Sequence, residues 1–194
     1  DGSTDRTDEI VGEYARQHPF IVLRRLIERP RRSFSSVVYA TEAGIRALTV
    51  QNFDYIGLLD ADIRLPSNYY ADVFSAFEAD PGLGLAGGWV VDCIQGQRKP
   101  SRQAPMEVAG AVQMFRRNCF DRLGGLIALP EGGWDALTCV QARMHGFSTR
   151  TLFKLEVDHL KPRNVSEGGV PRRYFLLGVR DYALGNQPVF ELLK

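Results

Sequence analysis

Residues 55–62, Tyr-Ile-Gly-Leu-Leu-Asp-Ala-Asp, decide how this chain reads. Tyr55-Ile56-Gly57-Leu58-Leu59 is a short apolar run of the length of a buried strand. It ends on Asp60-Ala61-Asp62, which sets two carboxylates at the strand's carboxyl end. A hard divalent cation takes oxygen ligands held close together, and a site that must also admit a substrate's phosphates stays open on the protein side. The pair therefore points to a metal-bridged phosphate site. Aspartate is frequent enough here that about one such Asp-x-Asp is expected by chance, so the neighbouring elements carry the argument.

Outward from this run the pattern alternates helix and strand. Ser3 or Thr4 can cap a helix with Asp5, Asp8 and Glu9 in its first turn and Ile10, Val11, Tyr14 and Ala15 on its apolar face, ended by His18-Pro19. Phe20 to Leu23 reads as a short strand, followed by an arginine-rich loop and a helix with Val37, Val38, Thr41, Ile45 and Leu48 on one side. After Pro66 a helix buries Tyr69, Val73, Phe74 and Phe77; Asp80-Pro81-Gly82 turns the chain, and Leu83 to Val91 reads as a strand. Residues 92–108, broken by Pro100 and Pro105, read as a surface loop, and Ala109 to Phe115 as a strand. A short helix over 118–123 stops at Gly124-Gly125, and another runs from Asp135 to a left-handed cap at Gly146. The pattern predicts an open α/β fold with a largely parallel sheet, whose ligands gather at the strands' carboxyl ends.

Composition sets bounds. The 194 residues are 44% hydrophobic and 24% charged, enough for one domain with a substantial core. A net charge of +1 supplies no global field for nucleic acid, so no nucleic-acid partner is expected. Arginines cluster at Arg24-Arg25, Arg29 to Arg32, Arg116-Arg117 and Arg172-Arg173, where they meet either anions or solvent. Three widely spaced cysteines, Cys93, Cys119 and Cys139, form neither a zinc pattern nor a disulfide framework, which suits a reducing, cytoplasmic compartment. No apolar run reaches the ~18 residues of a spanning helix, and the opening residues lack signal-peptide character, so any membrane contact is expected to be peripheral.

Four stretches together resemble the inverting family-two glycosyltransferases. Residues 1–7, DGSTDRT, resemble the tail of that family's Asp-Asp-Gly-Ser-Thr-Asp motif, and residues 58–62, LLDAD, its metal motif. Residues 110–125, GAVQMFRRNCFDRLGG, resemble the acceptor-side segment, and residues 132–147, GGWDALTCVQARMHGF, the helix carrying the essential Asp. The resemblance implies a GT-A (Rossmann-like) α/β fold, its mixed, largely parallel sheet flanked by helices. It implies a catalytic domain over 1–168, with a nucleotide-binding part (1–91) and an acceptor-binding part (92–168), then an amphipathic helical extension over 169–194. In the family a strand, a helix and a second strand precede the Asp-Gly-Ser motif. An N-terminal βαβ opening of roughly 30 to 40 residues is therefore expected ahead of Asp1, which would make this chain truncated, with an open sheet edge and weak donor binding.

What the resemblance implies about the site is specific. The donor is a UDP-, GDP- or dTDP-linked sugar, and Asp1 contacts its base. Asp62 ligates Mn²⁺ or Mg²⁺ at the diphosphate, and Asp60 reaches the ribose or the metal. His159 stands where some relatives place a histidine near the metal, and Arg31 and Arg32 where the family has basic residues near the diphosphate. Asp135 is the base that deprotonates an acceptor hydroxyl, giving inversion by in-line displacement. Gly133 and Trp134 lie on the acceptor side, Trp134 either stacking on the acceptor or covering the core. The acceptor is a saccharide or a lipid-linked saccharide, as in cell-envelope polysaccharide synthesis at the inner face of the membrane.

Two departures stand out: Trp134 replaces the usual Glu, and Glu42 replaces the Asn expected two residues before Gly44. They admit a degenerate module that binds nucleotide sugars without turning them over. An Asp-x-Asp phosphatase fits less well, because Arg64 stands where that chemistry's family has Thr or Val, and DGSTDRT would be unexplained. The 171–194 stretch mixes Arg172, Arg173 and Arg180 with Tyr174, Phe175, Val179 and Tyr182, the pattern of a helix packed on the domain, a flap, or an interfacial contact.

Overall fold

The computed structural model describes residues 4–26 and 34–161, with positions 175, 178, 179, 182 and 185 beyond them. The first two helices are α1 (Thr7–Gln17) and α2 (Ser35–Arg46). Strands β1 (Tyr55–Gly57) and β2 (Ile63–Arg64) flank the two aspartates, and α3 (Tyr69–Ala79) follows. A long strand β3 (Leu83–Ile94), its hairpin partner β4 (Gln97–Pro100) and β5 (Met114–Arg116) lead to α4 (Arg117–Leu123), α5 (Trp134–Met144) and a second long strand, β6 (Ser148–His159).

The strand order is β1-β5-β3-β6-β2, with β4 also on β3. On one face α3 lays Tyr69, Val73 and Phe77 against Leu83, Val90, Leu155 and Val157. On the other, Val38 of α2 and Trp134 and Cys139 of α5 meet Ile56, Leu85 and Phe115. The apolar spacing along α2, α3 and α5 thus buries one stripe of each, as amphipathic packing on a sheet requires.

The mixed α/β fold is as the sequence implies, but the balance of strand directions is corrected. Only β3 and β6 run parallel; β1–β5, β3–β5, β3–β4 and β2–β6 are all antiparallel pairs among the described residues. The reason lies in the connections. The predicted loop over 92–108 contains a hairpin, because Gln95 (φ 50°) and Gly96 (φ 78°) form a two-residue turn with both central residues left-handed. The predicted strand over 109–115 is mostly a 3₁₀ turn, Gly110–Val112, leaving only Met114–Arg116 to enter the sheet.

Phe20 to Leu23 is not a strand: no described residue pairs with it, and Phe20 is 82% exposed. An apolar run becomes a strand only where a neighbour completes its backbone hydrogen bonds. α1 forms, but it starts at Thr7 with Arg6 in the N-cap position rather than Ser3 or Thr4, and none of its residues is buried; Asp5 precedes the helix, its carboxylate accepting the Thr7 N–H (3.0 Å). β1 is the outermost strand of the order, and its run Tyr55–Leu59 buries only Ile56 fully. Asp1, Arg31, Arg32 and most of the 169–194 segment lie outside the described residues; within that segment Phe175 and Tyr182, which are helical, are 70% and 78% exposed.

Candidate active site

Asp60 leaves the sheet along a fixed path. Beyond Gly57 the chain keeps bonding to the segment beside it: Leu58 N–H donates to the Gln113 carbonyl (2.8 Å) and Asp60 N–H to the Ala111 carbonyl (3.0 Å). The Gly110–Val112 turn therefore holds the backbone of Asp60. The same turn holds Asp135, because Gly110 N–H donates to Asp135 Oδ2 at 3.1 Å. Two aspartates far apart in sequence, Asp60 through its backbone and Asp135 through its carboxylate, are thus anchored on adjacent residues of one short turn.

Asp135 sits in the first turn of α5, where the aligned backbone amides favour a carboxylate. The approach through Gly132 (φ 85°) and Gly133 (φ 88°) requires two successive left-handed residues, which explains the Gly-Gly pair. Trp134 is 8% exposed and belongs to the core, its ring edge against Gly110; it also lines the groove described below. A Cβ at Gly110 would lie 2.7 Å from Trp134 Cζ2, so only glycine lets the turn and the helix meet. Gln113, wholly buried, ties the same joint by donating from Nε2 to the Val108 carbonyl (3.0 Å) and the Asp135 carbonyl (3.2 Å).

Asp62 is placed by a second device, the pairing of β2 with β6. Ile63 registers with His159, and Leu160 N–H donates to the Asp62 carbonyl at 2.8 Å. His159 is 7% exposed, with Nδ1 3.0 Å from Asp92 Oδ1 and Nε2 3.6 Å from Asp62 Oδ1. Beside it Asp158 accepts from Arg64 (2.7 Å) and Arg98 (2.8 Å), and those guanidinium bonds hold its carboxyl below the ordinary range.

The field at Asp60 shows how closely these groups converge. Its carboxyl is raised above the usual 3.8, first by the loss of surrounding water, then by the like charge of Asp62 and, more weakly, of Asp135, with His159 acting in the opposite sense. Solvent still reaches Asp60, but the protein around it displaces enough water to disfavour its charge. Three carboxylates and an imidazole thus share one electrostatic neighbourhood, which is a cation-attracting one. Among the described residues no group of three or more His, Cys, Asp or Glu side chains closes a metal cage. The donor set is one that an open site could use, with Asp62 and His159 able to supply a carboxylate oxygen and a ring nitrogen and other positions left to substrate and water.

Asp60, Gly110 and Trp134 also line a groove of about 830 Å³ shared with α2, residues 19–26 and β1. Its walls are largely apolar, including Val22, Val37 and Leu48, with Arg24 and Asp60 as its charged lining residues. Of the arginine clusters, Arg116 is committed to the Leu83 (3.0 Å) and Phe77 (2.6 Å) carbonyls, and Arg25 to Asp8 (2.6 Å). Sequence reasoning missed Asp92, Gly110 and Gln113. Asp92 carried a readable signal, a carboxylate ending the apolar run 83–91, whereas nothing local marks Gly110 or Gln113.

The sequence matches Glycosyl transferase family 2 over residues 1–132. None of the curated proteins matches it. Among solved structures it is similar to the mannosyltransferase PcManGT from Pyrobaculum calidifontis in complex with GDP-Man and Mn²⁺ (TM-score 0.61, 20% identity, 84% of this chain and 47% of that one). It is similar to GalNAc-T7 with UDP, GalNAc and Mn²⁺ (TM-score 0.59, 16% identity, 87% and 38%). S. aureus TarS 1–349 in complex with UDP-GlcNAc aligns over 90% of this chain and 52% of its own, with TM-score 0.61 and 12% identity. The chain thus spans about half or less of the length of these structures. At such identities the likeness is one of fold, and the fold is that of the GT-A glycosyltransferases. With the family match covering most of its length, the chain belongs to glycosyl transferase family 2.

Proposed function

We propose that the protein carrying this chain transfers a sugar, with inversion, from a nucleotide-diphosphate donor to a hydroxyl of a saccharide or lipid-linked acceptor. The observation that carries the reading is the anchoring of Asp60 and Asp135 on adjacent residues of one turn, with Asp62 and His159 beside them. Such a site divides the labour. Asp62, with His159, would hold Mn²⁺ or Mg²⁺, and Asp60 the ribose or the metal's own shell. The cation, when bound, supplies charge neutralisation for the departing diphosphate. Asp135, fixed through Oδ2 by Gly110, has its other oxygen available to take the proton of the acceptor hydroxyl. As that proton leaves, the acceptor oxygen bonds to the anomeric carbon and the bond from that carbon to the diphosphate breaks on the opposite face.

Asp1, Arg31 and Arg32 are assigned to the donor, and Gly133 and Trp134 to the acceptor side, with Trp134 acting from the core beneath it. The neighbours bound to GDP-Man and to UDP-GlcNAc support a GDP- or UDP-sugar, and dTDP-sugars share the same diphosphate. No described helix is long and apolar enough to cross a membrane. A place at the inner face of the cell membrane, with polysaccharide synthesis as the role, therefore rests on peripheral contact through the 169–194 segment. Incubation with Mn²⁺ and a panel of UDP-, GDP- and dTDP-sugars, reading release of nucleoside diphosphate, tests the proposal. Consumption of one donor, abolished by Asp135→Asn, is the expected result. Binding of a donor without its consumption would favour the non-catalytic module instead, and release of inorganic phosphate from simple phosphate esters would favour a phosphatase.

A further inference from the structure

The His159 imidazole is buried between two carboxylates, yet it does not treat them alike. Asp92 on β3 registers directly with His159 on β6, so the two side chains leave neighbouring parallel strands on the same face. That register brings Asp92 Oδ1 to 3.0 Å from Nδ1, an ordinary hydrogen bond. On the other side Nε2 is 3.6 Å from Asp62 Oδ1, too long for a hydrogen bond. Two ligands of one cation, each about 2.1–2.2 Å from it, stand roughly 3.0–3.6 Å apart for ligand–metal–ligand angles between about 90° and 115°. The ring is therefore spaced from Asp92 as a donor and from Asp62 as a fellow ligand.

We propose that Asp92 is a positioning residue: by accepting the Nδ1–H of His159 it selects the tautomer whose Nε2 lone pair faces Asp62, and so builds a two-ligand seat for a divalent cation. A neutral imidazole has one N–H and one lone pair, and the hydrogen bond made by the first decides where the second points. Carboxylates placed behind a ligating histidine orient it and raise its basicity, and their loss typically lowers metal affinity about 10- to 100-fold. The ring is 7% exposed, so little water competes for the Asp92 hydrogen bond, and turning the ring over would break it. Nothing in 55–62 alone required a partner from β3.

The inference rests on the metal-dependent reading above, and its test is independent of turnover. Mn²⁺ alone is titrated into the full-length protein carrying this chain, without donor, its affinity read from loss of the free-ion electron paramagnetic resonance signal and its ligands from nitrogen modulation in the electron spin echo. The wild type should show modulation from one imidazole nitrogen, and His159→Ala should lose it. Asp92→Asn should bind Mn²⁺ about 10-fold or more weakly, with the nitrogen modulation reduced and recovered at least partly in Asp92→Glu. Wild-type affinity and unchanged modulation in Asp92→Asn would overturn the proposal. So would the absence of nitrogen modulation in the wild type, an outcome that needs no variant to fold and would leave glycosyl transfer through Asp62 alone still standing. Conversely, a full-length protein that binds Mn²⁺ through Asp92-oriented His159 but consumes no donor would refute the transferase reading and keep this one.

Discussion

Gly110→Ala is the sharpest perturbation of the proposed site, because Gly110 touches no substrate in the mechanism and acts only by letting two elements meet. Its new Cβ would lie 2.7 Å from Trp134 Cζ2, 3.0 Å from Cη2 and 3.1 Å from Asp135 Cβ. Carbon atoms ordinarily rest about 3.5–4.0 Å apart, so the start of α5 must retreat by roughly 0.8 Å or more, or the turn must shift the other way. Trp134 is a largely buried ring packed in the core, and Gly110 also supplies the N–H that fixes Asp135 Oδ2. Overpacking of this kind costs about 1–3 kcal/mol. For a chain of this size that lowers Tm by about 2–12 °C. Displacement of a catalytic group by about 1 Å lowers turnover by ~10². The assay is donor consumption with Mn²⁺, compared with Gly84→Ala. That control also sets its Cβ 2.7 Å from neighbours, Cys119 Sγ and Phe147 Cβ, but at the amino end of β3, away from Asp60. Both variants should melt lower, and only Gly110→Ala should lose turnover. Equal turnover losses in the two, or wild-type turnover in Gly110→Ala, would refute positioning through this contact.

Other substitutions probe the remaining parts. Asp135→Asn should lower turnover by ~10² or more while leaving donor affinity nearly unchanged, since the amide oxygen can still accept from Gly110 but cannot take a proton; unchanged turnover would remove Asp135 as the base. Because the Asp60 carboxyl is raised, its charge opposes folding at neutral pH, and that penalty fades as the pH falls through the raised value toward 3.8. Asp60→Asn should therefore raise the Tm of the metal-free protein at pH 7, with the gap to wild type closing in acid; a lower Tm at pH 7 would contradict the electrostatic account. Tyr69 receives the Gly88 N–H and donates to the Val112 carbonyl, both at 3.2 Å, so Tyr69→Phe leaves two buried groups unpaired at about 1–3 kcal/mol. Its phenol is pushed up to about 12 by burial, so wild type should lose stability between pH 10 and about 12, where the unfolded phenol ionises first. Tyr69→Phe should lack that alkaline loss, and an identical profile in calorimetry would count against it.

Legibility followed the range of the interactions involved. The helices over 7–17, 35–46, 69–79 and 134–144 repeat an apolar stripe within a few residues, and helix ends carry local marks: Gly124 in the left-handed region closing α4, and Gly132-Gly133 ahead of α5. Those signals were readable because they act within one or two turns. Strands need partners, and there the local pattern misled or fell silent. Phe20 to Leu23 has a strand's composition and no described partner, whereas Ser148–His159 alternates polar and apolar side chains under so many charges that no strand was assigned to it, yet it lies between β3 and β2 in the sheet.

Sequence alone determined the family, the α/β class and the individual carboxylates, because Asp60-Ala61-Asp62 after an apolar run and an Asp opening a Gly-Gly-led helix are contiguous patterns. Only the tertiary structure decided that Asp60 and Asp135 share the Gly110–Val112 turn, that β2 and β6 bring His159 to Asp62, and that Asp92 stands behind the ring. The physical reason is that a site of this kind is made by hydrogen-bond register between strands distant in the chain. Register depends on which backbone groups find partners across the sheet, a property of the assembled sheet and of no single segment within it.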